Sequence, residues 1–491
     1  MSLLFKGGRI KSTKKDIVRF ISSMEDDVKL LKHVIDINRA HTIMLMKQGI
    51  ISNQDCVEIL KALKNLDKLK KNRYLEDIHV YVEEAVIKRT KGQSGENLHI
   101  AKSRNDQVAT AIRMELREEI INLMKAIIDF QAELLSKAEK HVQTIICGYT
   151  HLRPAQPTTF AHYLLYHFDA FQRHVKRLFE CYNRVNICPM GAAALATTSF
   201  PINREMVAEL LGFADVLENS IDSVSSRDFV METLATLAMV AIDISRLAED
   251  LIIWSTPEFN LIEIPDEFCS TSSIMPQKKN PDVLEVIRAR MSHVIGNFMT
   301  CALILKSLPS SYNLDFQEAT PKLWESCVKV KEALSILSKL TVSCQPVQDL
   351  ENPNLASSTF TELVRILFQK YNVPFRTAHK IVGSLAGKIV EKKINPKNVT
   401  AEMLRKVAEE VSGISLTVTE DDVKASVDVA NFVNMHNVRG GPAPMEVMRM
   451  INSRRKMLAE TSRQVAEMET NMRNAVKNLY DLVERLIEHQ Q

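Results

Sequence analysis

The run CSTSSIMPQKKNPD, residues 269–282, gathers hydroxyls and ammonium groups in a segment that does not fit a helix interior. Met275-Pro276 and Asn280-Pro281 bias the residue before each proline toward extended backbone, and Pro281 suits the first turn of a following helix. A hydroxyl at Ser272 or Ser273, near the cation of Lys278, suits removal of a proton next to a carboxylate. The hydroxyl takes the proton, and a fixed ammonium stabilises the charge pushed onto the carboxylate oxygens. The bland alternative is a solvated loop ahead of a helix.

Three further segments concentrate polar groups. In GYTHLRPAQPTTFAH, residues 148–162, Gly148 ends one long helix and Pro154 and Pro157 precede the next. His151 then sits on a turn between two bundle helices. Its imidazole moves protons near neutral pH, and Thr150 is placed to orient a substrate oxyanion. In HIAKSRNDQVATAIR, residues 99–113, Ser103 or Asn105 reads as a helix cap. A helix start lined with Arg104 and amide donors is equally a carboxylate site. The stretch LPSSYNLDFQEATPKLWE, residues 308–325, is an irregular joint offering Tyr312 and Gln317 as donors.

The elements that must hold these loops are helices. Ala111–Cys147, Thr158–Cys188 and Ala214–Thr256 contain neither Gly nor Pro, and their apolar residues recur at three and four. Leu116, Ile120, Leu123, Ile127, Phe130 and Leu134 form such a stripe. The spacing predicts a long-helix bundle, with Pro281–Leu308 and Lys322–Gln345 as further members. We therefore expect an all-α chain of three regions: 1–110, a central bundle over 111–350, and a C-terminal helical domain over 351–491. Its tail, 454–491, carries a heptad seam of Leu458, Val465, Met472, Leu479 and Leu486, which needs a partner surface, its own body or another subunit.

Composition narrows the class. The 63 Lys and Arg against 60 Asp and Glu leave a net charge of +3, no footprint for nucleic acid. No window of about 18 uncharged apolar residues reads as a membrane span; the longest candidate, Leu234–Ile242, stops at Asp243. The first residues carry positive charge without an apolar core behind it, unlike a secretory signal. Eight scattered cysteines without a C-x-x-C pair, and no histidines at zinc spacing, point to reduced thiols in a cytosolic protein. Neither metal nor cofactor is expected.

In this order and spacing the segments resemble the fumarase/aspartase superfamily, and within it the argininosuccinate lyases. SSIMPQKKNP looks like the superfamily signature, while SRNDQVAT and GYTHLRPAQP are similar to the argininosuccinate branch. The likeness runs from near the N-terminus to about Met450. It implies an all-helical fold, a homotetramer with a core of long central helices, and active sites shared between subunits. It implies release of fumarate from argininosuccinate as the last step of arginine biosynthesis. Ser272 would remove the Cβ proton of the succinyl group. His151 would assist proton transfer, to the leaving guanidino nitrogen or through a substrate carboxylate, and Lys278 would hold the doubly charged carboxylate. Ser23, Asn105, Thr150, Asn280, Tyr312 and Gln317 match substrate-binding positions, with Arg104 and Gln277 as neighbours.

The pattern departs from the family at four places. Thr271 stands where a glycine usually precedes the two serines, which should stiffen the loop. GAAAL at 191–195 replaces a Gly-rich run, Arg153 replaces a glutamine, and Thr320 stands where a substrate-binding lysine is usual. Rival readings are a lyase for another succinyl-amine, such as adenylosuccinate, and a non-catalytic protein on the same scaffold.

Overall fold

In the computed structural model, residues 13–66, 75–90 and 93–488 are described. The chain is built of helices, with only four two-stranded ribbons among the described residues. Helix α1 (Leu31–Lys47) is buried along nearly its whole length. Helix α2 (Arg104–Lys140) is 37 residues long, and Ser103 and Asp106 close a reciprocal capping box at its start. Each residue of the Leu116–Leu134 stripe is fully buried. The predicted span ran to Cys147, but α2 stops at Lys140. Beyond it the chain turns into β1 (Ile145–Thr150), paired antiparallel with β2 (Arg153–Thr159). A two-stranded ribbon is all edge, so Pro154 and Pro157 are tolerated there. His151 therefore sits on a β-hairpin turn and not on a helix-to-helix corner.

Helix α3 (Phe160–Val185) follows, capped by Thr159. The interval 214–256 is not one helix. A six-residue helix, Ser220–Ser225, precedes α4 (Asp228–Trp254). Between them Arg227 is buried, donates to the carbonyls of Val224 and Ser226, and lies 4.3 Å from the Phe316 ring centre. Ribbon strands β3 (Ser270–Thr271) and β4 (Lys279–Asn280) lead to α5 (Asp282–Leu305). Helix α6 (Phe316–Ser343) begins six residues before the predicted Lys322, because Pro321 lies within it, near its start. There the missing N–H costs a single bond.

The heptad seam belongs to α7 (Pro444–Glu488), 45 residues long. Its partner is the chain's own body. Val465, Leu479, Val483 and Ile487 are buried in the main core, which runs from Met24 through α1–α6. Thr461 accepts from Gln172 at 3.1 Å, and Tyr480 faces Arg39 at 4.5 Å. A second core, formed within 363–427, stands apart from the main one.

Gly212 marks the tightest point of this docking. It adopts φ +67°, and a Cβ there would come 2.5 Å from the Cβ of Ala475. Gly212→Ala should therefore cost about 2–3 kcal/mol, by combining left-handed strain with overpacking. A thermal melt unchanged by Gly212→Ala would show that α7 is held loosely.

Candidate active site

The structure gathers the candidate residues into three groups. The first is the loop between β3 and β4, closed by the pairs Ser270–Asn280 and Thr271–Lys279. Thr271 thus occupies extended strand backbone, where a β-branched residue fits and glycine is not required. The Ser272 Oγ accepts from the backbone N–H of Ile274 at 3.2 Å and of Met275 at 3.1 Å. Two donors aimed at one hydroxyl oxygen favour its alkoxide, since hydrogen bonds to a charged acceptor contribute roughly 1.5–3 kcal/mol each. No hydrogen bond to Ser273 is present among the described residues, so the geometry favours Ser272. Lys278 and Gln277 line an adjoining cavity of about 580 Å3 with Asn260, Glu263 and Cys269. The Ser270 hydroxyl donates to Asp282, and Lys279 pairs with Asp266 at 2.7 Å.

The second group is the hairpin turn. His151 and Leu152 adopt φ +56° and +55°, both left-handed, as a two-residue hairpin connection requires. Thr150 and His151 are exposed at the tip.

The third group surrounds a narrow pocket lined by Ser23, Asp26, Asp27, Asp77, Tyr312 and Gln317. Ser23 donates to Asp27 at 2.6 Å. Burial, with the Asp77 charge nearby, pushes the Asp27 carboxyl up to about 7 against the Ser23 hydrogen bond. Arg104 pairs with Glu76 at 2.8 Å and Asp77 at 3.2 Å, so its guanidinium orders the pocket wall. Asn105 donates to the Ala194 carbonyl at 3.0 Å. Thr320 is buried, and its hydroxyl donates to the Phe316 carbonyl at 3.2 Å.

Asp106 ties this group to the 190–197 loop. One of its oxygens accepts from Ser103 N–H at 3.0 Å, and the other from Gly191 at 3.0 Å and Ala193 at 2.9 Å. Gly191, Ala193 and Thr197 all have positive φ, a costly conformation for Ala and Thr. The Asp106 bonds help to hold Ala193, and the Thr197 N–H donates to the Ala192 carbonyl at 3.0 Å. Ala193 is thus the point where the replaced Gly-rich run bears strain.

Ser272, Lys278 and His151 share no hydrogen bond among the described residues. Within one chain the candidate residues thus stand in three separate groups. A separate cluster of His33, Glu115 and Glu118 has donor atoms within 4.8 Å of one another. Lys29 already pairs with Glu115 at 2.9 Å and Lys32 with Glu118 at 3.3 Å, so the carboxylates are neutralised by lysines.

A family profile described as lyase matches residues 18–296, and one described as argininosuccinate lyase C-terminal matches 357–434. An argininosuccinate lyase of Methanocaldococcus jannaschii is 42% identical over 476 residues, covering 95% of this chain and 96% of the relative. The chain belongs to the argininosuccinate lyase family. It is accordingly a lyase of the fumarase/aspartase superfamily, and the all-α expectation holds. An EDDS lyase in complex with formate superposes with a TM-score of 0.88 at 30% identity, covering 94% of this chain and 92% of that one. A class II fumarase from Schistosoma mansoni, 16% identical with a TM-score of 0.71 over 84% of this chain and 91% of its own, shares the fold.

Sequence reasoning missed the acidic wall. Asp27 lies four residues after Ser23, one helical turn away, and the acidic run at 25–27 was a usable signal. Asp77 carries no such signal, since its place beside Arg104 is a tertiary fact.

Proposed function

We propose that this lyase splits argininosuccinate into arginine and fumarate, as the last step of arginine biosynthesis in the cytoplasm. The observation that carries the substrate assignment is the acidic pocket of Asp26, Asp27 and Asp77 beside Ser23, Tyr312 and Gln317. Arginine brings two cationic groups, an α-ammonium and a guanidinium, and the pocket, about 20 Å3 in this structure, must widen to bring one of them to Asp26 and Asp27. The relatives' name agrees with it. Ser272, as its alkoxide, takes the Cβ proton of the succinyl group. The electron pair moves onto the neighbouring carboxylate, held by Lys278 and Asn280, then returns to form the double bond as the Cα–N bond breaks. His151 supports proton transfer, with Thr150 and Asn105 beside it on the substrate, while Arg104, held by Glu76 and Asp77, orders the wall of the acidic pocket.

The protein is proposed to act as a homotetramer whose sites combine the three groups from different subunits. Exposed apolar residues along the long helices support this: Met239 and Ile242 on α4, Val286, Met299 and Leu303 on α5, and Val328 on α6. The eight unpaired cysteines suit a reducing compartment, and no helix among the described residues is long and apolar enough to cross a membrane. Absorbance at 240 nm reports fumarate release. Argininosuccinate should be turned over and adenylosuccinate should not; the reverse result removes the assignment.

Asp27 adds a pH test. The free site holds a neutral acid below about pH 7 and an anion above it. Because a cation binds the anion, kcat/KM should fall as pH drops through that value, and Asp27→Asn should remove this limb while raising KM. Stability runs the other way. The folded value lies above the ordinary 3.8, so the folded state binds the extra proton and loses stability as pH rises between 3.8 and about 7. Asp27→Asn should therefore melt a few degrees higher than the unaltered chain at pH 8. A lower melting point in the variant would contradict this.

A further inference from the structure

The last residue of the 148–162 segment, His162, has no part in the chemistry above, yet both of its ring nitrogens are engaged. It lies in the first turn of α3, at the foot of the β1–β2 hairpin. Its Nε2 is 2.9 Å from the Gly440 carbonyl, and its Nδ1 is 2.8 Å from the Thr158 hydroxyl. A carbonyl only accepts, so Nε2 carries a hydrogen; in the neutral ring Nδ1 then accepts from the Thr158 hydroxyl, which can also act as an acceptor if Nδ1 is protonated. Gly440 is itself fixed. Its φ is +88°, and its N–H donates at 2.7 Å to Glu446 in the first turn of α7. Next to it, a Cβ at Gly441 would come 2.2 Å from the His436 carbonyl, so the 436–443 loop has little freedom.

The hairpin needs such an anchor. A two-stranded ribbon is marginal by itself. This one is cushioned near its base, where Ile145 and Cys147 meet Leu355, Val429, Phe432 and Val433, and nearer the tip by Tyr149, which packs on the same cluster and lies 5.0 Å from the Phe259 ring centre. Thr158 is paired with Ile146 at that base, while Thr150 and His151 stand at the far end. From Thr158 to Leu152 the strand spans roughly 20 Å at ~3.3 Å per residue. A rotation of about 5° at the foot therefore moves the tip by close to 2 Å. An error of that size at a reacting group costs on the order of 100-fold in rate.

We infer that His162 is a positioning residue: its imidazole bolts the hairpin foot to the 436–443 loop and thereby sets where the Thr150–His151 turn stands. This rests on the reading in which His151 moves a proton. The bolt couples the C-terminal region to the site through two hydrogen bonds, without any contact of His162 with substrate.

The test uses the full-length protein with His162→Phe, which keeps a ring but neither hydrogen bond, and His162→Gln, whose amide offers a donor and an acceptor. His162→Phe should lower kcat roughly 10- to 100-fold while KM rises no more than about 3- to 5-fold. Amide hydrogen exchange should quicken in 145–159 and 436–443, and His162→Gln should restore most of both. Unchanged exchange in His162→Phe overturns the bolt. Faster exchange with unchanged kcat, or an equal loss in both variants, overturns the positioning role. Exchange is read without substrate, so it decides the bolt even if the unaltered chain releases no fumarate, a result that would instead remove the substrate assignment.

Discussion

Ser272→Ala should lower fumarate release from argininosuccinate by three or more orders of magnitude, with KM little changed. The proton beside the succinyl carboxylate is a weak acid, and water is a far poorer base than an alkoxide held against it. The Ser272 oxygen is also the acceptor for two backbone N–H groups, which makes its alkoxide reachable. Alanine removes the base and leaves the turn's donors facing solvent on an exposed loop, so folding should be nearly unaffected. Matching circular dichroism spectra and native masses would show this. Ser273→Ala, at a hydroxyl without those donors, should stay within about tenfold of the unaltered rate, as for a group outside the reacting geometry. If Ser273→Ala proved the dead variant and Ser272→Ala the active one, the base would have been assigned to the wrong hydroxyl.

Lys278→Met should cost about 100- to 1000-fold in kcat, the range seen when one group stabilising developing charge is removed. Removing the Cβ proton loads a second negative charge onto a carboxylate, and an ammonium in a cavity stabilises that charge far better than water does. Methionine keeps the length and apolar stem of the side chain, so packing along the cavity of about 580 Å3 is preserved. Lys279 does not offer an equivalent cation, since it is paired with Asp266 at 2.7 Å. Steady-state kinetics of both substitutions would check this: Lys279→Met should lose less than Lys278→Met, and equal losses would contradict the assignment.

Much of this is legible in the sequence. The 269–282, 148–162, 99–113 and 308–325 runs stood out because they interrupt long three-and-four apolar spacing with hydroxyls, prolines and charge. Local chemistry offered Ser103 or Asn105 as the cap, and Ser103 takes the place, because a capping box is decided within four residues. What escaped depended on distant partners. Asp106 closes that box, yet its other oxygen holds Gly191 and Ala193, which no local spacing reveals. Helix periodicity carried the α2 prediction through Ile145–Cys147, but these residues pair with Pro157–Thr159 across a turn. Likewise the interval 214–256 lacks Gly and Pro, yet Arg227 breaks it by turning its guanidinium onto its own backbone and the Phe316 ring. The tail's seam was clear, while its partner, the chain's own body, was not.

The convergence of three faces from different subunits is tested most directly by co-expressing two inactive variants, Ser272→Ala and His151→Asn, and purifying the mixed assemblies. Ser272 and His151 of one site then come from independent chains, each unaltered with even odds, so about a quarter of sites are restored. Recovery of about a quarter of the unaltered activity is the predicted result. Activity no higher than that of either variant alone would place both residues on one chain and contradict the shared site.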